Sequence, residues 1–136
     1  MSITLGGSLL TLLSFVAVSC SDPRGEPFPQ GSPTKEGVAL PNERVRIWPS
    51  SGEAEVGVKY AYDTSLCGLT YDLDFDGSFW EPVDRLSNED QPDFFINPDQ
   101  GSITLISEQE ATYESSEGQT VELQRLDGPV VQRGCG

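Results

Sequence analysis

The feature that most constrains this chain is a pair of alternating apolar patterns between residues 56 and 80. Apolar side chains occupy every second position of Val56–Tyr62, and they do so again in Cys67–Phe75. Alternation with a period of two is typical of a β-strand that buries one face. The second pattern ends at Asp76-Gly77, a dipeptide that favours a two-residue hairpin turn. This stretch therefore predicts two half-buried strands and a return strand that begins at Ser78.

Short strands are also predicted on both sides of this stretch. Arg44–Trp48 alternates weakly and Pro49 ends it, which predicts a short strand at a sheet edge. No long segment shows a helical period. About 7–8 short strands then predict an all-β fold, a small antiparallel β-sandwich or barrel. The remaining predicted strands are Ser78–Val83, Ser102–Ser107, Ala111–Ser115, Thr120–Leu126 and Val130-Val131.

The charge balance excludes several classes of function. The 136 residues carry 22 acidic and 8 basic side chains, a net charge of −14, and no histidine. Phosphate backbones are bound by Lys and Arg, so this balance argues against nucleic acid as a partner. It also argues against flat docking on an anionic bilayer. The absence of histidine removes Ser–His and Cys–His nucleophiles and most catalytic zinc sites, which favours a non-enzymatic protein.

The N-terminus resembles that of an exported bacterial lipoprotein. Met1–Ser19 has no charged residue, and its apolar centre, Leu9–Val18, has the length of a secretory signal. It leads into Ala17-Val18-Ser19-Cys20, which resembles the lipobox of bacterial lipoproteins. That resemblance implies that Cys20 carries fatty acyl chains such as palmitate and becomes the mature N-terminus. The segment lacks the usual basic residue before its apolar centre; an ordinary cleaved signal peptide and an uncleaved membrane helix are the alternatives.

These observations predict a domain order and a location. Residues 1–19 are the expected signal peptide, and residues 20–43 are the lipidated Cys20 with a disordered linker rich in Pro, Gly, Ser and charge. Residues 44–136 are the expected β domain. The expected location is the extracytoplasmic face of the bacterial cell membrane, with the lipid as anchor.

The other two cysteines then suggest a disulfide bond. If Cys20 is lipidated, Cys67 and Cys135 remain in an exported chain, where disulfides persist. A bond between them closes a loop of about 70 residues, worth about 4 kcal/mol on the chain-entropy model. Free thiols and pairing between molecules are the alternatives.

Three aspartates before the hairpin turn are weak candidates for a calcium site. Asp72, Asp74 and Asp76, followed by glycine, match the first half of an EF-hand loop. The second half fails, because the last ligand position holds Val83 instead of glutamate. Alternation of a half-buried strand explains the same residues, so we expect no metal and no cofactor.

The long polar loop Asp84–Gly101 contains the main candidate for a contact surface. Its Phe94-Phe95-Ile96 cluster either plugs one end of the core or forms an exposed binding patch with Trp80. Exposed aromatic patches mark interaction sites. A second hypothesis is a glycan-acting enzyme that uses paired carboxylates, for which Glu81 and Asp84 are the nearest candidates.

Most of residues 56–135 also resembles a type of small secreted or lipoprotein domain of actinobacteria. That type carries a Cys-Gly pair, a turn like Phe-Asp-Gly-x-x-Trp, a Gly-x-Leu/Ile-Thr-Leu strand and a last cysteine. Here these are Cys67-Gly68, Phe75–Trp80, Gly101–Leu105 and Cys135. Leu66 stands where that type often has histidine. The resemblance supports the β fold and export and implies no known activity.

Taken together, the sequence predicts a lipid-anchored, non-enzymatic module that binds an envelope protein or a glycan. The alternative is a calcium-binding or carboxylate-based glycan-acting envelope protein.

Overall fold

The computed structural model describes residues 22–28, 34–36, 46–85 and 89–131. Within these ranges the helical segments are a 3-10 turn at Gly68–Thr70 and the short helix α1 at Asp93–Ile96. The strands there are β1 (Glu26–Pro27), β2 (Thr34–Glu36), β3 (Arg46–Trp48), β4 (Lys59–Asp63), β5 (Leu73–Phe75), β6 (Ser78–Pro82), β7 (Gln100–Leu105), β8 (Glu110–Glu114), β9 (Thr120–Leu126) and β10 (Val130–Val131). The prediction of an all-β fold is confirmed.

Seven of the strands form one curled sheet with the shape of a half-barrel. Its order is β1-β4-β7-β8-β9-β6-β5, and every neighbouring pair is antiparallel except β1 and β4, which are parallel. Curling brings the two outer strands together. The ring of Phe28, directly after β1, lies 4.7 Å from the ring of Phe75 at the end of β5, measured between centroids.

A second, smaller sheet has the order β10-β3-β2. The prediction that Arg44–Trp48 forms an edge strand is wrong, because β3 pairs antiparallel with both β2 and β10. Pro49 lies after the last paired residue of β3, so its missing N–H removes no hydrogen bond from the ladder.

Part of the predicted linker belongs to the folded domain. The prediction of a disordered segment is wrong for residues 22–28 and 34–36, which supply β1 and β2. Phe28 gives the physical reason, because its ring contacts Tyr60 and Phe75 at centroid distances of 5.4 and 4.7 Å. The composition of this segment did not reveal the contact. A single aromatic residue in a Pro- and Gly-rich segment stabilises a fold only when residues from other parts of the chain pack against it.

The second alternating segment is only partly a strand. Cys67–Phe75 was predicted to be extended throughout, but its first part turns through Gly68–Thr70 and only Leu73–Phe75 is strand. Gly68 has φ +54°, outside the extended region. The carbonyl oxygen of Phe95 lies 2.6 Å from where a Cβ at position 68 would stand. The glycine therefore allows the backbone to turn here and to pack directly against the backbone of α1. The first alternating segment is also shorter than predicted, because β4 begins at Lys59.

Other local predictions are confirmed. Strand β9 covers the predicted Thr120–Leu126. Asp76 and Gly77 have φ +55° and +67°, as a type I′ turn requires, and Phe75 pairs with Ser78 across it. A second tight turn places Gly118 between β8 and β9 with φ +85°.

The core lies in the concave side of the curled sheet and is filled by the side chains of one strand parity. At one end of the sheet, which we call the α1 end, Asp63 pairs with Gln100 and α1 covers the core. At the other end, the hairpin end, lie the Asp76-Gly77 turn and the β7–β8 connection. The core consists of Tyr60, Tyr62, Leu69, Leu73, Phe75, Trp80, Phe94, Phe95, Ile103, Leu105, Ala111, Tyr113 and Leu123.

Candidate functional site

The predicted aromatic binding patch does not lie on the surface. Trp80, Phe94 and Phe95 are 0 %, 5 % and 2 % exposed. The Trp80 indole N–H donates to the Phe75 carbonyl at 2.8 Å, and the Phe94 ring stacks on Tyr113 at a centroid distance of 6.4 Å. The binding-patch hypothesis is therefore wrong. The alternative prediction was that this cluster plugs one end of the core. Phe94 and Phe95 agree with it, because α1 places both rings in the core at the open end of the half-barrel.

The aspartates of the predicted weak calcium site bind protein groups. The Asp74 carboxylate accepts from the Ser50 backbone N–H at 3.0 Å and from its hydroxyl at 2.6 Å. The Asp76 carboxylate accepts from the Ala54 N–H at 2.5 Å. Asp72 is half-buried just before β5. Among the described residues, no group of three or more His, Cys, Asp or Glu side chains is arranged to hold a metal ion.

These bonds hold a segment that we call the strap, residues 50–55, across the β5–β6 hairpin. The strap is fixed at its far end as well, because the Glu55 N–H donates to the Tyr60 hydroxyl at 3.1 Å. The two aspartates therefore position backbone. Asp74 alternates with Leu73 and Phe75, which places it on the face of β5 opposite the core, as the pattern predicted, whereas Asp76 belongs to the hairpin turn.

Arg125 is the residue that the sequence prediction missed. Its guanidinium lies over the Trp80 ring, 4.5 Å from the centroid, a cation–π contact. It donates to the Asp76 carboxylate at 2.5 Å and to the Ser78 hydroxyl at 2.5 Å. A signal for it does exist in the sequence, because Arg125 continues the parity of Val121 and Leu123 and so occupies a core-facing position of β9.

A cleft of about 550 Å³ opens beside Arg125 at the hairpin end. The Arg125–Asp76 ion pair balances its own charge, whereas Glu53 and Glu108 add two carboxylates to the walls. The cleft therefore offers hydrogen-bond donors and acceptors together with a surplus of negative charge. Its walls are formed by Gly52, Glu53, Ala54, Asp76, Gly77, Ser78, Glu108, Gln109 and Arg125.

The carboxylates suggested for glycan chemistry lie elsewhere. Glu81 accepts from Gln124 Nε2 at 2.8 Å and from the Arg85 guanidinium at 2.7 Å, and Asp84 is exposed. Neither residue lines the cleft. The geometry therefore gives no support to these two residues as a catalytic pair.

A buried carboxylate, Asp99, organises the α1 end. It accepts from the Tyr113 hydroxyl at 2.6 Å and from the Ser116 hydroxyl and N–H at 2.5 and 3.1 Å. Its backbone N–H and carbonyl bond Thr64 at 2.8 and 2.9 Å. Burial raises the pKa of this carboxyl, but the bonds from Ser116 and Tyr113 outweigh it and hold the pKa below its usual value. Burial, with Asp99 alongside, raises the pKa of Tyr113. Asp99 thus joins β4, β7 and the β8–β9 turn.

The predicted lipidation and disulfide residues are described only in part. Cys67 is buried at the start of the 3-10 turn. Cys20 and Cys135 lie outside the described residues. Acylation of Cys20 and a bond between Cys67 and Cys135 therefore stay predictions.

In the part of the chain that the structure describes, no helix is long and apolar enough to cross a membrane. No protein-family model matches the chain, and neither the curated proteins nor the solved structures contain a match to it.

Proposed function

We propose that this chain is a lipid-anchored, extracytoplasmic, non-enzymatic binding module, and that its contact region is the cleft beside Arg125. The lipobox-like Ala17-Val18-Ser19-Cys20 supports the anchor and the location. The cleft replaces the aromatic residues as the contact region, because those residues are buried.

The observation that carries the proposal is a half-buried arginine held by several contacts at the floor of an open cavity. Arg125 donates to Asp76 and Ser78 and also to the Glu108 carbonyl at 2.5 Å. Because three connections of the chain meet there, the strap, the β5–β6 turn and the β7–β8 turn, the walls are fixed before a ligand arrives. Preorganised walls reduce the entropy cost of binding.

The charge of the cleft indicates the class of ligand. The charges of Arg125 and Asp76 cancel in their ion pair, so the carboxylates of Glu53 and Glu108 give the cleft a net negative charge. The whole chain carries −14, which attracts cations and raises the rate of encounter with a basic partner. We propose an ammonium- or guanidinium-bearing partner from the cell envelope, either a basic protein segment or an amino-substituted glycan.

A peptide titration tests this binding. Adding hexalysine to the ¹⁵N-labelled protein is expected to shift the backbone amide signals of Glu53, Glu108 and Gln109 at low salt. The double variant Glu53→Gln/Glu108→Gln is expected to lose most of the shift. The matched control is Glu117→Gln/Glu122→Gln, which removes the same charge from exposed positions outside the cleft. Equal loss in both double variants would show that net charge, rather than the cleft, attracts the peptide.

The lipid anchor is tested separately at Cys20. We expect fatty acyl label on the wild-type protein, recovered in the membrane fraction, and neither result for Cys20→Ser. Label on the Cys20→Ser protein would contradict the anchor.

The proposed Cys67–Cys135 bond stabilises the domain by about 4 kcal/mol on the chain-entropy model. The burial of Cys67 is compatible with it. Mass spectrometry without reduction is expected to recover one crosslinked peptide that contains both cysteines. Recovery of two free thiols would contradict the bond.

A further inference from the structure

We propose that the partner of the cleft is a polypeptide segment in which a basic residue is followed by a large apolar residue, and that Val56 and Ile106 contact the apolar side chain. This inference rests on the proposed function and narrows it to one class of partner. The basic side chain enters the cleft, and its apolar neighbour packs beside the cleft. An amino-substituted glycan does not supply the second contact, because hydroxyl groups surround each of its amines.

The first step is that two exposed apolar side chains lie together at the hairpin end. Val56 and Ile106 are 59 % and 55 % exposed. The residues next to them in the chain are bonded to each other, because the Gly57 N–H donates to the Leu105 carbonyl at 2.9 Å. This bond places Val56 and Ile106 side by side, and we call the two residues the apolar rim.

The second step is that the apolar rim borders the cleft. Val56 follows the cleft residue Ala54 by two positions, and Ile106 precedes the cleft residue Glu108 by two positions. Two residues of extended chain span at most about 7 Å. When a basic residue of a peptide occupies the cleft, the next residue of that peptide is about 3.8 Å further along and therefore reaches the rim.

The third step is that the fold does not require an apolar residue at the rim. The Val58 N–H donates to the Glu55 carbonyl at 3.2 Å and Gly57 has φ +83°, which makes residues 55–58 a type II turn with Val56 at its second position. Most residue types fit that position, and an exposed valine there adds nothing to the core. Two adjacent exposed apolar residues form a small patch, and an apolar patch beside a polar cleft indicates a contact site.

The fourth step is that the rim is held in place together with the cleft walls. The Ile106 N–H donates to the Glu110 carbonyl at 2.9 Å, which closes the turn that follows β7. The Arg125 N–H donates to the Gln109 carbonyl of the same turn at 3.1 Å. The end of the strap before Val56 is fixed by the bond to Tyr60. The rim therefore keeps a fixed position relative to the cleft, which reduces the entropy cost of binding both side chains of a peptide at once.

Charge favours a basic residue next to the apolar one. Glu55 and Glu110 are exposed close to the rim and add to the negative charge of the cleft. Lys59, the cation close to Val56 in the chain, is paired with Glu114 at 3.3 Å. The hairpin end thus presents apolar surface and negative charge side by side. A segment of adjacent basic and apolar residues matches both features, whereas a segment of basic residues alone matches only one.

Two peptides of equal charge measure the contribution of the rim. Both are acetylated and amidated and contain three lysines; in one peptide each lysine is followed by leucine, and in the other by serine. Each is titrated into the ¹⁵N-labelled full chain at low salt, and the amide signals of Val56, Gly57, Ile106 and Glu108 are followed. We expect the leucine peptide to bind about tenfold more tightly, as for partial burial of one leucine. Equal affinities would overturn the inference.

A matched pair of double variants locates the difference. Val56→Thr/Ile106→Thr is expected to remove most of the preference for the leucine peptide and to leave the affinity for the serine peptide unchanged. The control is Val83→Thr/Ile96→Thr, which changes the same two residue types at positions that are 48 % and 45 % exposed and lie outside the cleft. A preference that persists in Val56→Thr/Ile106→Thr, or is lost equally in both double variants, would overturn the contact with the rim.

A glucosamine trimer, titrated at a mildly acidic pH at which its amines are charged, distinguishes the glycan from the peptide. We expect it to bind no more tightly than the serine peptide under the same conditions, and binding as tight as that of the leucine peptide would overturn the choice of a polypeptide. Failure of the proposed function gives a different result: neither peptide shifts the signal of Glu108, and both proposals are then wrong. Binding of both peptides with equal affinity overturns this inference alone.

Discussion

At the scale of single residues, the structure explains why two sequence motifs, Cys67-Gly68 and Gly101–Leu105, each contain a glycine. Gly68 follows Cys67 because its φ of +54° and the nearby Phe95 carbonyl leave no room for a side chain. Gly101 is the second residue of β7, and a Cβ there would lie 2.4 Å from the Tyr113 hydroxyl oxygen. That hydroxyl bonds Asp99, so Gly101 provides the space in which the buried carboxylate is satisfied.

The substitution Gly101→Ala tests whether position 101 must be free of a side chain. We expect a loss of about 1–3 kcal/mol in the free energy of unfolding, because the Glu114 carbonyl and the Tyr113 ring must both move. Gly57→Ala is the control: no heavy atom lies within 4 Å of its Cβ position, and its φ of +83° leaves only a backbone cost of about 1 kcal/mol. Urea denaturation measures both. A smaller loss at position 101 than at position 57 would contradict the close approach.

Asp99 gives the stability of the domain a dependence on acid pH. Its folded pKa lies below the unfolded value, so its contribution is complete above about pH 4 and is lost as the pH falls through the folded pKa. Asp99→Asn is expected to cost about 1–3 kcal/mol at neutral pH and to flatten the loss of stability below about pH 4. Denaturation at several pH values measures this. The exposed Asp127→Asn is the control, and an unchanged acid slope in Asp99→Asn would contradict the assignment.

At the scale of elements, the β5–β6 hairpin organises the proposed contact region. Its turn residue Asp76 adopts φ +55°, binds the strap through Ala54 and pairs with Arg125 of β9. One side chain thus connects the turn, the strap and the neighbouring strand. The Asp76–Arg125 pair is largely buried, with side-chain exposures of 11 % and 17 %, so loss of one partner leaves a desolvated charge.

Asp76→Asn tests this connection without disturbing the turn, because asparagine also tolerates positive φ. We expect a loss of about 1–3 kcal/mol in the free energy of unfolding. A double-mutant cycle with Arg125→Gln is expected to show that the two losses are not additive. Additive losses would mean that the two side chains do not interact, and the floor of the cleft would then be wrongly described.

The elements also show what the sequence could and could not reveal. Alternation predicted β9, the Asp76-Gly77 turn and the core side chains of β4 and β5, because strand period and turn chemistry are local properties. The 3-10 turn after Cys67 depends on the α1 backbone more than 20 positions further on. Docking of Phe28 depends on Phe75, even further away. Of the cleft, the sequence predicted only the hairpin turn, because the Arg125 contacts join two connections, β5–β6 and β7–β8, that are far apart in the chain.

At the scale of the whole molecule, the N-terminal segment completes the fold. The sheet is a half-barrel whose outer strands, β1 and β5, do not pair with each other. The Phe28 ring lies between Tyr60 and Phe75 and closes the gap by packing. The closure of the core at this edge therefore depends on the stretch of chain that precedes and includes Phe28.

Phe28→Ala is expected to destabilise the domain by about 2 kcal/mol, less than for a fully buried phenylalanine because the ring is half-buried. Thermal denaturation measures the loss, and Phe28→Leu, which keeps most of the apolar volume, is expected to recover part of it. An unchanged melting temperature in Phe28→Ala would mean that the ring does not pack in solution.

The central claim is that the segment of residues 22–28 is part of the folded domain and packs against the core through Phe28. Nuclear Overhauser effects between aromatic rings test it most directly. Phe28 ring protons are expected to give cross-peaks to the rings of Phe75 and Tyr60, whose centroids lie 4.7 and 5.4 Å away. The Phe28→Leu variant assigns these signals. If Phe28 shows narrow random-coil signals and no cross-peak to either ring, the segment is detached, and the account of the closed core is wrong.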